Sequence, residues 1–180
     1  VTGASSGIGR SIALESASRG ATVILMARHQ DKLEEIANEA RQLSGNEVYV
    51  FPTDISKADQ IDRAFNEIVS HVDHIDYLVN AAGFGVFKEF LETSPQVMTE
   101  MFQTNVLGLM YFTRLVARVM IDQKQGQIIN FGSIAGIVPT TKTAVYSANK
   151  AAIIQFSNVL RLELKPFGVK VMTVNPGPVY

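Results

Sequence analysis

The sequence predicts an α/β fold, a doubly wound parallel sheet with helices on both faces in three layers, α/β/α. Short, β-rich apolar runs alternate with segments of helical periodicity, which is the pattern of consecutive βαβ units. Most of the runs are almost entirely apolar, as expected for strands that helices cover on both faces. No linker or low-complexity stretch interrupts the alternation, so residues 1–180 are predicted to form one domain.

Five apolar runs are predicted as strands, and four helical segments as the main helices between them. The strands are predicted at 22–27, 47–51, 77–80, 127–131 and 169–174. Segments 31–43 and 57–71 are amphipathic, and Leu43 completes the apolar stripe of the first. Segments 96–121 and 146–164 are apolar around much of their circumference. They therefore predict either a homodimer or homotetramer interface or coverage by chain outside this sequence.

Composition excludes several classes of function. Sixteen basic and seventeen acidic residues give a formal charge of −1, without the basic patch that nucleic-acid binding requires. The chain has no cysteine, which excludes disulfides and thiolate metal sites and is compatible with a cytoplasmic location. It contains no apolar run long enough for a membrane segment. His71 and His74 lack a third ligand at suitable spacing, so no metal site is predicted.

A glycine-rich run opens the chain and leads into a helical segment, 8–17, that ends before Gly20. Glycines at such a position let backbone N–H groups approach a pyrophosphate, and the positive end of the helix dipole favours the anion. A tight turn without a ligand is the alternative. The candidate cofactor-binding residues of this run are Gly3, Ser5, Ser6, Gly7, Ile8 and Gly9.

Arg28 follows the strand predicted at 22–27, and no acidic residue occurs before Asp31. In dinucleotide-binding folds an acid at this place bonds the adenosine ribose, whereas an arginine accommodates a 2′-phosphate. The sequence therefore favours NADP(H) over NAD(H), the alternative being that Arg28 is a solvated loop residue.

Tyr146 and Lys150 are four residues apart near the start of a helical segment, so their side chains share one helix face. A cation beside a tyrosine stabilises the phenolate and makes the hydroxyl usable as a general acid or base. Ser133 follows the strand predicted at 127–131, at the carboxyl end where open α/β sheets bind ligands. Its hydroxyl is a candidate for holding a substrate carbonyl, the alternative being a helix cap.

Read together, these motifs resemble the short-chain dehydrogenase/reductase family, with its Rossmann-type fold, along essentially the whole chain. The motifs are Thr2-Gly3-x-x-x-Gly7-x-Gly9, Asn80-Ala81-Ala82-Gly83, Asn105, Ser133, Tyr146-x-x-x-Lys150 and Asn175-Pro176-Gly177. The resemblance implies that Tyr146 is the proton donor or acceptor, that Lys150 assists it and that Ser133 orients the carbonyl. It further implies that Asn105 fixes a water in a proton relay to Lys150.

The resemblance also implies further cofactor contacts and marks two departures. The implied contacts are Asp54, Ile55, Asn80, Ala81, Ala82, Gly83, Tyr146, Lys150, Pro176, Gly177 and Val179. Ala81 stands where the family has a second asparagine, and Ser6 stands where many NADP-dependent members have a basic residue. An apolar substrate wall is a further hypothesis, with core packing as its alternative. Its candidate residues are Phe84, Val86, Phe87, Ile134 and Val138.

The predicted function is an NADP-dependent oxidoreductase that transfers a hydride between nicotinamide and a small-molecule carbonyl or secondary alcohol. A catalytically silent NAD(P)-binding regulator or scaffold is the alternative, although such a protein would not need the four candidate catalytic residues. A sugar-nucleotide epimerase does not fit the glycine spacing. Val1 alone represents the strand before the glycine run, and the sequence stops at Tyr180. The resemblance therefore implies that this sequence lacks most of the first strand and the C-terminal strand and lid.

Overall fold

The structure is a computed structural model that describes residues 1–178, and it confirms the α/β class with parallel strands and intervening helices. The described chain divides into two compact units. Unit 1 contains Val1–Asp73 and Val79–Ala82, and unit 2 contains His74–Leu78 and the chain from Gly83 onward.

Unit 1 contains two parallel strands and three helices, at positions close to those predicted. They are α1 (Gly7–Ser18), β1 (Val23–Ala27), α2 (Gln30–Ser44), β2 (Val48–Pro52) and α3 (Ala58–His71). In the register of β1 and β2, Val23 lies opposite Val48 and Ala27 lies opposite Pro52. Both strands agree with the prediction to within one residue at each end.

Residues 1 and 2 take the place of a strand between β1 and the chain at 79–80. Thr2 forms parallel bridges with both Met26 and Asn80. Its backbone N–H donates to the Val79 carbonyl at 2.9 Å, and the Met26 N–H donates to the Val1 carbonyl at 3.0 Å. The glycine run thus follows directly from a strand position inside the sheet of unit 1, as the sequence predicts.

Helix α2 packs on unit 1 through the predicted stripe of Leu33, Ile36, Ala37 and Ala40, which are buried. The stripe does not extend to Leu43, whose side chain is 51% exposed, so that part of the prediction is wrong. Leu43 lies at the edge of the stripe in the last turn, since the helix ends at Ser44 and Gly45 takes a left-handed φ of +69°.

Unit 2 contains the start of β3 (Tyr77–Asn80) together with two further strands and three helices. The latter are α4 (Pro95–Phe102), α5 (Leu109–Gln123), β4 (Gly126–Phe131), α6 (Ala144–Leu164) and β5 (Val169–Val174). The strand order is β3-β4-β5. Strands β4 and β5 are parallel, with Gly126 opposite Val169 and Phe131 opposite Val174.

A π-helical turn, Gln103–Gly108, joins α4 to α5, where the sequence predicts one regular helix over 96–121. The Ser94 hydroxyl caps the start by accepting from the Val97 N–H at 3.3 Å, and Pro95 occupies the first position. A π turn inserts one extra residue into the helical spiral and so changes which side chains face inward. Asn105 lies in this turn and is almost fully buried, at 1% exposure.

Several apolar side chains of the helices in unit 2 remain exposed, including Leu107, Val159 and Leu162. Within residues 1–178, none of the helices combines the length and apolar character needed to cross a bilayer. The same residues contain no grouping of three or more His, Cys, Asp or Glu side chains suited to hold a metal ion.

Candidate active site

The glycine run of unit 1 is a close-packed backbone structure. Gly3 has a φ of +66°, and a Cβ there would lie 2.7 Å from the Ala82 Cα and 2.9 Å from the Ala81 carbonyl carbon. A Cβ on Gly9 would overlap the Gly3 carbonyl. These two glycines are therefore required for packing of main chain on main chain, which brings α1 against the loop that precedes it.

Gly7, by contrast, opens to free space at the start of α1. A Cβ on Gly7 would meet no atom within 4 Å, and its φ is +53°. Ser6 precedes the helix in an extended conformation, with no side-chain cap, and the first turn of α1 carries no acidic residue. The exposed helix N-terminus at Ser6 and Gly7 thus combines a positive dipole end with accessible backbone, as an anion site requires.

Arg28 follows the last residue of β1 and is exposed. The Ala4 N–H donates to the Met26 carbonyl at 3.2 Å, so the end of β1 adjoins the glycine run. Asp31 is in the first turn of α2, where it stabilises the helix dipole. The structure therefore presents a basic side chain, rather than an acid, directly after β1.

Asp54 and Ile55 follow β2 in a short turn. The Asp54 Oδ1 accepts from the Ser56 N–H at 2.9 Å and from the Ser56 hydroxyl at 2.7 Å. The Asp54 N–H donates to the Gln60 side chain at 2.8 Å, and Ile55 is buried. These bonds hold the Asp54 carboxylate in one orientation at the carboxyl end of β2.

The segment Asn80-Ala81-Ala82 is tied to residue 2 of the same unit. The Ala82 N–H donates to the Thr2 hydroxyl at 3.2 Å, and Asn80 is buried beside the parallel bridge to Thr2. In unit 1 the structure therefore brings together the glycine run and residues 80–82, two segments that the sequence predicts as cofactor contacts.

Asn105 holds the backbone that follows Gly83 in unit 2. Its Oδ1 accepts from the Phe84 N–H at 2.9 Å, and its Nδ2 donates to the Phe84 carbonyl at 2.8 Å. A Cβ on Gly83 would lie 3.0 Å from the Asn105 Oδ1. The Asn105 amide thus holds the Phe84 backbone through one accepted and one donated bond, and each of its two polar atoms retains capacity for a second hydrogen bond.

Lys150 lies on α6 and reaches the end of β4. Its ammonium donates to the Phe131 carbonyl at 2.8 Å and lies 5.6 Å from the centroid of the Tyr146 ring. The side chain is only 8% exposed, and this burial lowers the pKa of Lys150 from 10.5 to about 8. A cation is thus held beside Tyr146 in a poorly solvated place, where its field is strong.

Tyr146 is half-buried and packs edge to face on Phe87, with ring centroids 5.3 Å apart. A Cβ on Gly85 would lie 2.8 Å from the Phe87 ring and 3.1 Å from the Tyr146 ring. The segment after Gly83 therefore reaches the tyrosine through an aromatic ring and a glycine. The importance of Gly85 has no signal in the sequence, because it lies outside every recognisable glycine motif.

Ser133 lies in the turn after β4, where its Oγ accepts from the Ala135 N–H at 3.2 Å and caps the 3₁₀ turn Ile134–Gly136. This is the capping role considered from the sequence, and it leaves the hydroxyl proton able to donate. The turn packs closely on α6, since a Cβ on Gly136 would lie 2.8 Å from both the Lys150 carbonyl carbon and the Ala151 nitrogen.

Pro176 joins the same cluster through its carbonyl, which accepts from the Ile134 N–H at 3.0 Å. Gly177 has open space around the position of a Cβ, and Val179 lies outside the described residues. Unit 2 thus gathers predicted catalytic residues 133, 146 and 150 around the ends of β4 and β5. Four of the five residues proposed for an apolar wall are exposed rather than packed in a core: Phe84, Phe87, Ile134 and Val138.

Similarity to known proteins identifies the family of this chain. The family model described as short chain dehydrogenase matches residues 1–180. An uncharacterized oxidoreductase of Staphylococcus epidermidis is 34% identical over 179 residues, covering 99% of this chain and 76% of the relative. The chain belongs to the short-chain dehydrogenase family, whose members are nicotinamide-dependent oxidoreductases acting on alcohol and carbonyl groups.

Two solved structures show the similarity of fold and leave the choice of cofactor open. A metagenomic short-chain oxidoreductase in complex with NADP has a TM-score of 0.94 and 34% identity, covering 99% of this chain and 80% of its own. An NAD⁺-bound xylitol dehydrogenase has a TM-score of 0.94 and 29% identity, covering 98% and 68%. The chain spans 68% of the length of the xylitol dehydrogenase and 65% of the length of a short-chain dehydrogenase from Streptomyces avermitilis.

Proposed function

We propose that this chain transfers a hydride between NADP(H) and a carbonyl compound or the matching secondary alcohol, with Tyr146 as general acid and base. The observation that carries the proposal is the buried Lys150 ammonium, 5.6 Å from the Tyr146 ring and held by the Phe131 carbonyl. A protein without chemistry gains nothing from a lysine in so poorly solvated a position, since burying a cation costs free energy.

In the direction of reduction, the Tyr146 hydroxyl donates its proton to the carbonyl oxygen, and in oxidation the phenolate takes the proton back. The Lys150 cation stabilises the negative charge left on the phenolate. The Ser133 hydroxyl donates to the same carbonyl oxygen and orients it. A bound nicotinamide supplies the hydride to the carbonyl carbon in reduction and accepts it in oxidation.

The residues of unit 1 fit a dinucleotide with an additional phosphate. The α1 N-terminus at Ser6 and Gly7 is open, free of acidic residues and suited to a pyrophosphate. Arg28 is exposed directly after β1, and its guanidinium can pair with a 2′-phosphate. These features support NADP(H) over NAD(H), and we assign the adenine contact to Asp54 and Ile55.

The proposal extends to domain organisation, cellular location and oligomeric state. We propose that residues 1–180 act as one cofactor-binding domain carrying its own catalytic residues, in a cytoplasmic protein. The exposed apolar side chains Leu107, Val159 and Leu162 support a homo-oligomer formed through the helices around 96–121 and 146–164.

The test is the absorbance of NADPH or NADH, side by side, with a panel of ketones, for the wild-type full-length protein and Tyr146→Phe. We expect wild-type turnover, faster with NADPH, and a loss on the order of 10³-fold or more in Tyr146→Phe, with NADPH binding by fluorescence retained. Tyr77→Phe, which removes an exposed tyrosine hydroxyl of unit 2, is the control and should retain full activity.

Undiminished turnover by Tyr146→Phe would refute the assigned role of this residue. Binding of NADPH by a wild-type protein that reduces no carbonyl compound would instead favour the catalytically silent regulator or scaffold.

A further inference from the structure

The structure places an exposed aromatic ring against the candidate general acid. Phe87 is 60% exposed, yet one part of its ring packs edge to face on Tyr146, with ring centroids 5.3 Å apart. An exposed phenylalanine is unfavourable in water unless something covers it, because its ring leaves a large apolar area solvated. The part of Phe87 turned away from Tyr146 is therefore free to contact another molecule.

Gly85 makes this arrangement possible. A Cβ at this position would lie 2.8 Å from the Phe87 Cζ, closer than real Cβ atoms approach, and 3.1 Å from the Tyr146 Cδ2. A side chain at residue 85 would have to displace the Phe87 ring or the Tyr146 ring. The glycine thus leaves the two rings in contact with each other and with nothing between them.

The residues that follow Ser133 also expose apolar side chains. Ile134 follows the serine directly and is exposed. Its carbonyl accepts from the Val138 N–H at 2.8 Å, and the Val138 side chain is exposed on the same turn. Glu89 and Lys142 of these segments form an ion pair at 3.9 Å, and Lys88, which follows Phe87, is exposed. Apart from the Lys150 ammonium and the Ser133 hydroxyl, the side chains that adjoin Tyr146 and Ser133 and remain exposed are therefore mainly apolar: Phe87, Ile134 and Val138.

We propose that Phe87 is a specificity-determining residue and that the substrate is a ketone with an aryl or similarly large apolar group beside its carbonyl carbon. The inference rests on the proposed function, because it takes Tyr146 as the group that meets the carbonyl oxygen. The apolar substituent packs on the exposed part of the Phe87 ring while the oxygen accepts from Tyr146. Polyhydroxylated substrates are disfavoured, since their hydroxyl groups would lose water against Phe87, Ile134 and Val138.

The experiment measures kcat/KM of the full-length protein with NADPH for 4-phenyl-2-butanone, 2-butanone and dihydroxyacetone. The wild type should prefer the phenyl ketone over 2-butanone by on the order of 100-fold. Phe87→Ala should reduce that preference about 10- to 30-fold, mainly through a higher KM for the phenyl ketone, with a much smaller change in KM for 2-butanone. Phe87→Leu should recover part of the preference.

Phe90→Ala is the matched control. Phe90 lies three residues further along the same segment and is 56% exposed, so the variant removes a similarly exposed ring without removing the one on Tyr146. It should leave the preference unchanged. Gly85→Ala should lower kcat for all three substrates, because the new methyl group displaces one ring of the pair.

The outcomes separate the two levels of the proposal. If the wild type reduces no ketone, the proposed function fails and the substrate inference fails with it. If ketones are reduced but the wild type favours dihydroxyacetone, or Phe87→Ala and Phe90→Ala change the preference equally, the substrate inference alone is overturned. A uniform loss of kcat for all substrates in Phe87→Ala would assign the residue to the support of Tyr146 and would also overturn it.

Discussion

The two units present their candidate functional groups in different ways. In unit 1, contacts around Gly3 and Gly9 are between main chains, and the surface offered to a ligand is a helix N-terminus. In unit 2, the corresponding contacts are made by side chains: Asn105 holds the Phe84 backbone, and Lys150 reaches the Phe131 carbonyl. Packing at the glycine run of unit 1 depends on the absence of a side chain at Gly3 and Gly9, whereas packing at the candidate site of unit 2 depends on the Asn105 and Lys150 side chains.

This difference determines what a substitution tests. In unit 1 a change at a packed glycine alters the backbone that forms the ligand surface, so binding and folding are affected together. In unit 2 a side chain can be altered while the backbone around it stays in place, so chemistry and stability can be measured separately. The three predictions that follow test this contrast.

The largest expected effect is on stability and comes from Gly3→Ala. The new methyl group would meet the Ala82 backbone at 2.7 Å in a residue with φ +66°, so the free energy of unfolding should fall by about 2–5 kcal/mol. Gly45→Ala is the control: its φ of +69° is nearly the same but its surroundings are open, so the loss should be about 1–2 kcal/mol.

Urea denaturation of both variants without cofactor measures the difference. Equal losses for Gly3→Ala and Gly45→Ala would mean that only backbone strain matters, and that the close approach of main chains in unit 1 contributes nothing.

Lys150 should make the stability of unit 2 depend on pH. Because burial lowers its pKa from 10.5 to about 8, the unfolded chain binds more protons than the folded chain between these values. The free energy of unfolding should therefore rise with pH over this window, by up to about 3 kcal/mol. Below pH 8 both states are protonated, and the full cost of burying the cation is present.

The measurement compares wild type with Lys150→Met from pH 7 to 10.5. Lys150→Met lacks this titration, so the stability of the wild type relative to the variant should increase as pH rises. Parallel pH profiles for the two proteins would contradict the buried, charged lysine on which the proposed mechanism rests.

The smallest effect on the fold is expected for Arg28→Glu, although cofactor choice should change. Arg28 is exposed, so the free energy of unfolding should shift by no more than about 0.5 kcal/mol. Loss of the guanidinium and gain of a negative charge beside the 2′-phosphate should raise KM for NADPH about 10- to 100-fold and lower the preference for NADPH over NADH.

Lys170→Glu, with the same change of charge at an exposed site on β5, is the control and should leave both KM values unchanged. A wild type that already prefers NADH would show the assignment of Arg28 to be wrong.

The strands could be predicted from sequence because each is a short apolar run between polar turns. All five lie within one residue of their predicted ends, because apolar residues dominate each run and polar or turn-forming residues flank it. The π turn at Gln103–Gly108 could not be predicted, because segment 96–121 is apolar around much of its circumference and therefore gives no clear helical stripe that an extra residue would shift. The π turn contains one more residue than a regular helical turn, and packing in unit 2, rather than local helix propensity, stabilises it. This turn brings Asn105 into its buried position.

Within the candidate site, short-range relationships were predictable and long-range ones were not. Helix geometry alone places Tyr146 and Lys150 on one face, because they are four residues apart. Nothing in the sequence indicates that Lys150 donates to the Phe131 carbonyl or that Asn105 hydrogen-bonds the Phe84 backbone. Nor does it indicate that a side chain at Gly85 would collide with the Tyr146 ring. These partners come from distant segments that only folding brings together.

The sequence by itself determined the fold class, the positions of the strands, the glycine run and the spacing of Tyr146 and Lys150, since these follow from local periodicity and short separations along the chain. Only the tertiary structure decided which groups surround them: the Ala82 backbone behind Gly3, the carbonyl that holds Lys150 and the ring that lies on Tyr146. The physical reason is that burial and contact depend on the packing of segments far apart in sequence, which no local pattern encodes.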